Sequence, residues 1–556
     1  MQGVPAASAG RAPRTVVWML LLAALGALQT LAYVHTAGWP LPLLTMAVLL
    51  VALNAATPAR AAALGWAYGT GWLVAGVWWL YISMHHYGGL PAPLAAAAVL
   101  LLCAVLSLYA AAAAAAYARW RRGRLTDALL WAALWLLAEW CRGVLFTGFP
   151  WVALGYSQVD GPLAALAPWV GVYGIGAVLA ALAAGAAAVV SRPRGWPALA
   201  LAAAVVAALA AVPPAQFTQP AGELSVTLLQ PNVKQDQKFV AEHLPRTLAW
   251  VAMQLRGSTA DLVVSPETAV PLLPYQLQEM APGLWPALQQ HFAAPGRAAL
   301  VGVPLGDEIK GYTNSVVGLS AGAPYRYDKT HLVPFGEFIP TGFRWFTELM
   351  NIPLGDFARG VANPPSMAVK GQRVAPNICY EDLFGEELAR RFVDPATAPT
   401  VMVNISNIGW FGETVAVAQH LNITRMRTLE FQLPMVRATN TGATAVVDHR
   451  GRVVAALAPH TEGVLNASVQ GRAGVTPFAW WAGRFSLWPL AGAAAVNVLV
   501  LALMAAAERA RRRPAPGALR RPLALHTAAF KPPASAAPAS SAPCFRLPPA
   551  WPQPPG

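Results

Sequence analysis

The chain has 556 residues, 56% of them hydrophobic and only 12% charged, with a net charge of +14. That balance excludes an ordinary soluble globular protein and fits a polytopic membrane protein with one sizeable aqueous domain. The basic excess would point to nucleic acid if it were concentrated on one folded domain; much of it lies instead in short loops between apolar runs and in the C-terminal tail, so a nucleic-acid partner is set aside.

In chain order, apolar runs at 15–34, 39–57, 61–83, 91–118, 128–146, 163–190 and 196–213 predict seven spans, and a run at 485–507 predicts an eighth. The first run is preceded by Arg11 and Arg14; it is long for a signal-peptide core and more spans follow closely, so it reads as an uncleaved span. Arg60, then Arg119 with Arg121, Arg122 and Arg124, then Arg192 and Arg194, fall in alternate loops, and Arg509 to Arg513 with Arg520 and Arg521 follow the last span. Seven spans, a large domain and an eighth span put all of these on one face. The expected division is a transmembrane domain at 1–213, an extracytoplasmic domain at 214–484, the last span at 485–507, and a basic Pro/Ala-rich disordered tail at 508–556. Both termini are then cytoplasmic and the large domain faces the periplasm or the outside.

After the fifth span, Glu139-Trp-Cys-Arg-Gly143 and Thr147-Gly-Phe-Pro-Trp151 place a carboxylate, a guanidinium and several aromatics near the outer face. Two readings stand side by side: a helix-neighbour ion pair within an aromatic belt, or an entry site for a lipid headgroup or substrate.

Within 214–484, strand-like segments at 224–229, 261–264, 298–303, 315–319, 374–378 and 400–404 alternate with helical stretches that include 237–257 and 417–432. This predicts an α/β domain with its active loops at strand ends. Three such ends carry ionisable groups: Glu267 in Ser265-Pro-Glu-Thr268, Lys329 with Glu337 eight residues on, and Cys379 in Asn377-Ile-Cys-Tyr-Glu381. Cys379 is the only cysteine of the domain, so it has no intradomain disulfide partner, and Cys103, Cys141 and Cys544 show no metal-ligand spacing with it. Taken singly, these are a loop carboxylate, a solvated lysine and a core thiol. Taken together they supply acyl transfer: a thiol needs a base to become a nucleophile, and the developing oxyanion needs a positive partner.

The Pro-Glu-Thr-Ala, Lys-x-His-Leu-Val-Pro-Phe-Gly-Glu and Cys-Tyr-Glu blocks resemble the Glu–Lys–Cys triad of the nitrilase (carbon–nitrogen hydrolase) superfamily. With Thr147 to Trp151, Gly155-Tyr-Ser-Gln158, Gln230-Pro-Asn232, Ser406 to Gly412, Gln419-His420, Arg425-Met-Arg427 and Arg437 to Gly442, the chain more narrowly resembles the bacterial apolipoprotein N-acyltransferase family, from its first span to about residue 507. The resemblance implies a nitrilase-like αββα sandwich carried by about eight spans in a bacterial inner membrane. It implies Cys379 as nucleophile, Glu267 as general base and Lys329 as oxyanion stabiliser, with Glu337 supporting the lysine. Tyr380 and Glu381 would shape the site, and Phe239, Trp410 and Phe411 would meet lipid, although core packing is an equal reading for the last two. Phe239 stands where the family pattern has Trp, and Ile408-Gly409 where it has Asp-Ala.

The implied reaction moves a fatty acyl chain from a membrane phospholipid, phosphatidylethanolamine in the family, through a cysteine thioester. The acceptor is the α-amino group of a diacylglyceryl-cysteine apolipoprotein, and no cofactor or metal takes part. A segment at 340–362 is expected to gate lipid exchange. The alternatives are a membrane-tethered amidase or lipid acyl hydrolase, or a non-catalytic lipid-binding protein.

Overall fold

A computed structural model describes residues 11–191, 215–307, 311–343 and 357–512, with scattered positions between 196 and 211. Among the described residues, six helices are long and apolar enough to cross a membrane: Arg14–Tyr33, Thr36–Leu53, Ala92–Trp120, Thr126–Thr147, Pro162–Ser191 and Trp488–Arg511. Their outward faces keep large apolar side chains exposed, among them Leu20, Leu101, Val496 and Leu503, as lipid-facing helices do. The run expected at 61–83 forms the helix Pro58–Val77, which is richer in Gly and aromatic residues and packs inside the bundle. Gly71 allows that packing, since a Cβ there would stand 1.9 Å from the Ala23 carbonyl oxygen. The span expected at 196–213, residues 344–356 of the 340–362 segment and the tail beyond Arg512 fall largely or wholly outside the described residues. Of the C-terminal unit that begins at Ala507, only the end of the last helix is described.

Among the described residues, twelve strands build two six-stranded sheets. They are β1 (Thr218–Gln230), β2 (Leu262–Val264), β3 (Ala298–Asp307), β4 (Gly311–Ser320), β5 (Tyr325–Asp328), β6 (Met367–Val369), β7 (Gln372–Ile378), β8 (Val401–Ser406), β9 (Met435–Thr439), β10 (Ala445–Val447), β11 (Val453–Ala456) and β12 (Gly463–Gly474). One sheet runs β12-β1-β2-β3-β4-β5 and the other β11-β10-β9-β8-β7-β6. Side chains alternate across each strand. Leu224, Val226 and Leu228 of β1 and Val401, Val403 and Ile405 of β8 therefore meet between the sheets. Leu229, Val263 and Val301 turn outward onto the helices Leu244–Gly257 and Leu284–Phe292. Met402 and Met435 on the second sheet turn outward beside Phe431 and Phe478 of the helices Ala416–Phe431 and Pro477–Phe485. The result is helix, sheet, sheet, helix.

β1, β2 and β3 are parallel, as are β7, β8 and β9. β4 reverses direction and β5 restores it. Residues 265–267, 329, 379 and 406–407 consequently all lie at or just past the carboxyl ends of strands at one edge, where open α/β sheets place their sites.

That edge does not hang free of the membrane bundle. The bundle's apolar core continues without a break into Tyr380, Leu383, Phe384, Ile408, Ile423 and Met426 of the α/β domain.

Candidate active site

β7 ends and the chain turns at Cys379 with φ 52°, a left-handed conformation that costs a non-glycine residue about 1–2 kcal/mol. Its neighbours hold it there. The Cys379 carbonyl accepts from Asn404 Nδ2 at 3.3 Å and lies 3.2 Å from His420 Nε2. Arg437 Nη2 stands 3.1 Å from His420 Nδ1 and can only donate, so the imidazole is neutral with its proton on Nε2, aimed at that carbonyl. Burial and the Arg437 charge agree, holding His420 well below the usual histidine range.

Glu381 fixes the turn from the other side. Its Oε2 accepts from Ile378 N at 2.7 Å and from Tyr327 OH at 2.5 Å; its Oε1 accepts from Thr330 N at 2.7 Å and His331 N at 3.1 Å. One buried carboxylate thus ties the end of β7 to the segment carrying Lys329.

Lys329 Nζ lies 3.0 Å from Glu337 and 3.5 Å from Glu267 Oε1. Asn314 on β4 bridges both acids, donating at 2.7 Å to each. Asn407 N donates to Glu267 Oε2 at 2.7 Å, Val333 N to Glu337 Oε2 at 2.9 Å, and Lys238 Nζ to the Glu267 carbonyl at 3.0 Å. All three ionisable side chains are buried, Lys329 to 1% exposure. Burial alone would lower the lysine, but Glu337 and then Glu267 more than reverse it and hold the ammonium above its ordinary range. Cys379 is only partly buried, with Ser406 Oγ donating to its Sγ at 3.5 Å. Desolvation pushes its thiol up to about 12; Glu267 adds to this and Lys329 opposes it. At neutral pH the sulfur therefore keeps its proton, beside a carboxylate able to take it and an ammonium able to face an oxyanion.

The remaining residues named from sequence spread over the rim. Tyr380 is buried and donates through its hydroxyl to the Gly148 carbonyl of the membrane bundle at 3.0 Å. Phe411 packs on Trp79 at 4.2 Å between centroids, and Trp410 stands edge-on to Tyr87 at 5.7 Å. Phe239 is 43% exposed beside the inward-pointing Lys238. Glu139 and Arg142 form a buried pair at 3.6 Å. Glu139 accepts from Leu154 N at 2.7 Å, while Arg142 donates to the carbonyls of Phe149 and Trp151 at 2.7 and 2.8 Å. The ion-pair reading thus applies, with an added duty of shaping the loop that meets Tyr380. Sequence reasoning had no role for Asn314, Asn404, Asn407 or Lys238; the first is a neutral residue in mid-strand, and only the block Ser406 to Gly412 drew attention to Asn407.

A thiol, a carboxylate and an ammonium gathered at the carboxyl edge of an αββα sandwich define a carbon–nitrogen hydrolase domain, here set on a membrane bundle. Residues 208–478 match the family described as "Carbon-nitrogen hydrolase", and residues 25–186 match "Apolipoprotein N-acyltransferase N-terminal domain". An apolipoprotein N-acyltransferase of Verminephrobacter eiseniae is 52% identical over 482 residues, covering 81% of this chain and 89% of that protein. One of Ralstonia nicotianae is 47% identical over 500 residues, covering 88% and 93%. A solved carbon–nitrogen hydrolase from Helicobacter pylori G27 is 17% identical with a TM-score of 0.34, covering 49% of this chain and 94% of that one. The chain belongs to the apolipoprotein N-acyltransferase family.

Proposed function

We propose that the protein is an N-acyltransferase that moves a fatty acyl chain from a membrane phospholipid to the α-amino group of the diacylglyceryl-cysteine of an apolipoprotein, through a thioester on Cys379. In the first step Glu267 takes the thiol proton as sulfur attacks the ester carbonyl, and Lys329 faces the oxyanion, with the Tyr380 N–H as a second donor. The ester C–O bond breaks, the lysophospholipid oxygen leaves with the proton from Glu267, and the acyl group stays on sulfur. In the second step the amine attacks the thioester; a C–N bond forms, the C–S bond breaks, and a nitrogen proton passes through Glu267 to the sulfur. Glu337 holds Lys329, Glu381 and Tyr380 keep the cysteine turn in register, and Phe239, Trp410 and Phe411 line the lipid's approach.

The observation that carries this reading is the cluster itself: Glu267, Lys329 and Glu337 within 3.5 Å contacts, acting electrostatically on a partly exposed thiol at the bundle-facing edge. A lipid donor suits that placement. Extracting an acyl chain into water costs about 0.8 kcal/mol per CH₂, a penalty avoided when the ester reaches the thiol from the bilayer. Phosphatidylethanolamine is the donor this reading favours. The basic loops support a bacterial inner-membrane protein of about eight spans with both termini cytoplasmic and a periplasmic catalytic domain at 214–484.

Incubation with phospholipid labelled in its acyl chain tests the covalent step. The expected product is a hydroxylamine-labile label on Cys379, absent in Cys379→Ala. Label released as free fatty acid, with no N-acylated product, would identify a hydrolase instead.

A further inference from the structure

Lys238 reaches into the site from the loop after β1, and it is 4% exposed. The loop is nailed down: Val233 exchanges bonds with the Asn440 side chain at 2.9 and 2.7 Å, and Asn407 Nδ2 donates to Gln235 Oε1 at 2.8 Å. The ammonium has a single hydrogen-bond partner among the described residues, the Glu267 carbonyl at 3.0 Å, and no ion-pair partner. Lys329, in contrast, is enclosed by two carboxylates. A buried –NH₃⁺ with one acceptor leaves two donors unanswered, which is costly unless a ligand meets them or the proton can leave. The titratable groups that bear on it are Glu267 and Cys379. Burial lowers its pKa to about 8, against the opposing pull of those two groups, so charged and neutral forms coexist near neutrality.

The amine step of the proposed reaction has one proton too many for Glu267. An α-amino group, with an ordinary pKa of about 7.7–8.0, arrives at pH 7 chiefly as ammonium. It sheds one proton to become a nucleophile and a second as the amide forms. Glu267 carries one of these to sulfur; the other needs its own acceptor.

We infer that neutral Lys238 takes the proton of the incoming α-ammonium, placing a second base in the site that serves only the amine half-reaction. The inference rests on the thioester reading above. The balance closes: Lys238–NH₂ becomes –NH₃⁺ as the substrate ammonium becomes an amine, and Lys238 then returns its proton to water.

The test loads full-length enzyme in detergent with acyl-labelled phospholipid. It then follows transfer to a diacylglyceryl-cysteine peptide between about pH 6 and about pH 9, and to hydroxylamine, which is uncharged at pH 7. The wild type is compared with Lys238→Arg and Lys238→Met. In both variants the rate of transfer relative to loading should fall by at least about tenfold at pH 7, a modest share of what general base catalysis contributes. The deficit should close toward the upper end of the range, where the amine arrives uncharged, and hydroxylamine should cleave all three acyl-enzymes alike. Wild-type transfer by Lys238→Arg at pH 7 would overturn the inference, since arginine keeps the cation but accepts no proton. So would loading and transfer falling in proportion, which would mark Lys238 as a mere support of Glu267. Absence of any acyl-enzyme in the wild type would remove the thioester reading itself, and the inference with it.

Discussion

Around Cys379 the charges are arranged for a proton that leaves late. Glu267 raises the thiol's pKa and Lys329 lowers it, with burial the largest influence, and the sum stands near 12. Because the folded site favours the protonated form, alkylation of Cys379 by iodoacetamide should still be climbing above pH 9, where an exposed cysteine of pKa about 8.5 would already have levelled off. Glu267→Gln separates base from thiolate: loss of the negative charge should speed alkylation at a given pH while acyl transfer falls by about 10²–10⁴. A slower alkylation in that variant would contradict the assigned electrostatics. Lys329→Met strands two buried carboxylates, a change that costs about 3–5 kcal/mol when a buried pair is broken; a lower Tm in detergent checks it. Glu267, Lys329, Glu337 and Cys379 stood out in the sequence only as a set and through the family resemblance, since each alone has an ordinary structural reading; the structure gathers the three charged groups within 3.5 Å contacts near the thiol. Asn314 and Asn404 did not stand out, since a neutral amide inside an apolar strand announces nothing until its partners are placed around it.

Among the elements, the helix Ala416–Phe431 joins the two parts of the molecule. One face serves the site: His420 reaches the Cys379 carbonyl, and Thr424 bonds Asp382. The other serves the bundle. Gln419 accepts from the indoles of Trp79 and Trp151 at 3.1 and 2.8 Å, Asn422 donates to the Tyr33 carbonyl at 3.0 Å, and Glu430 accepts from Val172 N at 2.7 Å. Spacing of three and then eight residues, close to whole helical turns, sets these groups along one stripe. Gln419→Ala takes the acceptor from the buried Trp151 indole N–H, worth about 1–3 kcal/mol when unsatisfied, while Trp79 keeps the Gly76 carbonyl at 3.0 Å. A lower Tm is expected, and an unchanged one would show the stripe to be dispensable. The stretch 417–432 was readable as a helix to within a residue. The stretch 237–257 was readable only in part: turns run to His243, and the helix starts at Leu244 with Pro245 in its first turn, where a missing N–H costs nothing. Strands β5, β6, β9, β10, β11 and β12 escaped: the first five have three to five residues, too few to show a period without flanking signals, and β12 is long but interrupted by Gly, Asn, Gln and Arg.

For the whole molecule, sequence patterning separates a membrane part from an aqueous part, whereas the structure gives the two a common core. Tyr380, Leu383, Phe384 and Ile408 pack with the bundle, yet in the sequence they look like any interior residues of a water-soluble domain. Residues 215–476 expressed alone should accordingly expose that surface and aggregate; a soluble, monomeric product would argue that the shared core is incidental. The fusion also bears on how a site of carbon–nitrogen hydrolase type could serve a lipid: the turn that carries Cys379 is braced directly against the bundle through Tyr380 and Gly148. The most direct trial of the central claim is a chase. Acyl-enzyme labelled on Cys379 is isolated, mixed with a diacylglyceryl-cysteine peptide, and the label followed in time. The account predicts that it passes to the peptide α-nitrogen as an amide at least as fast as steady-state turnover; label that stays on sulfur, or leaves only as free fatty acid, would contradict it.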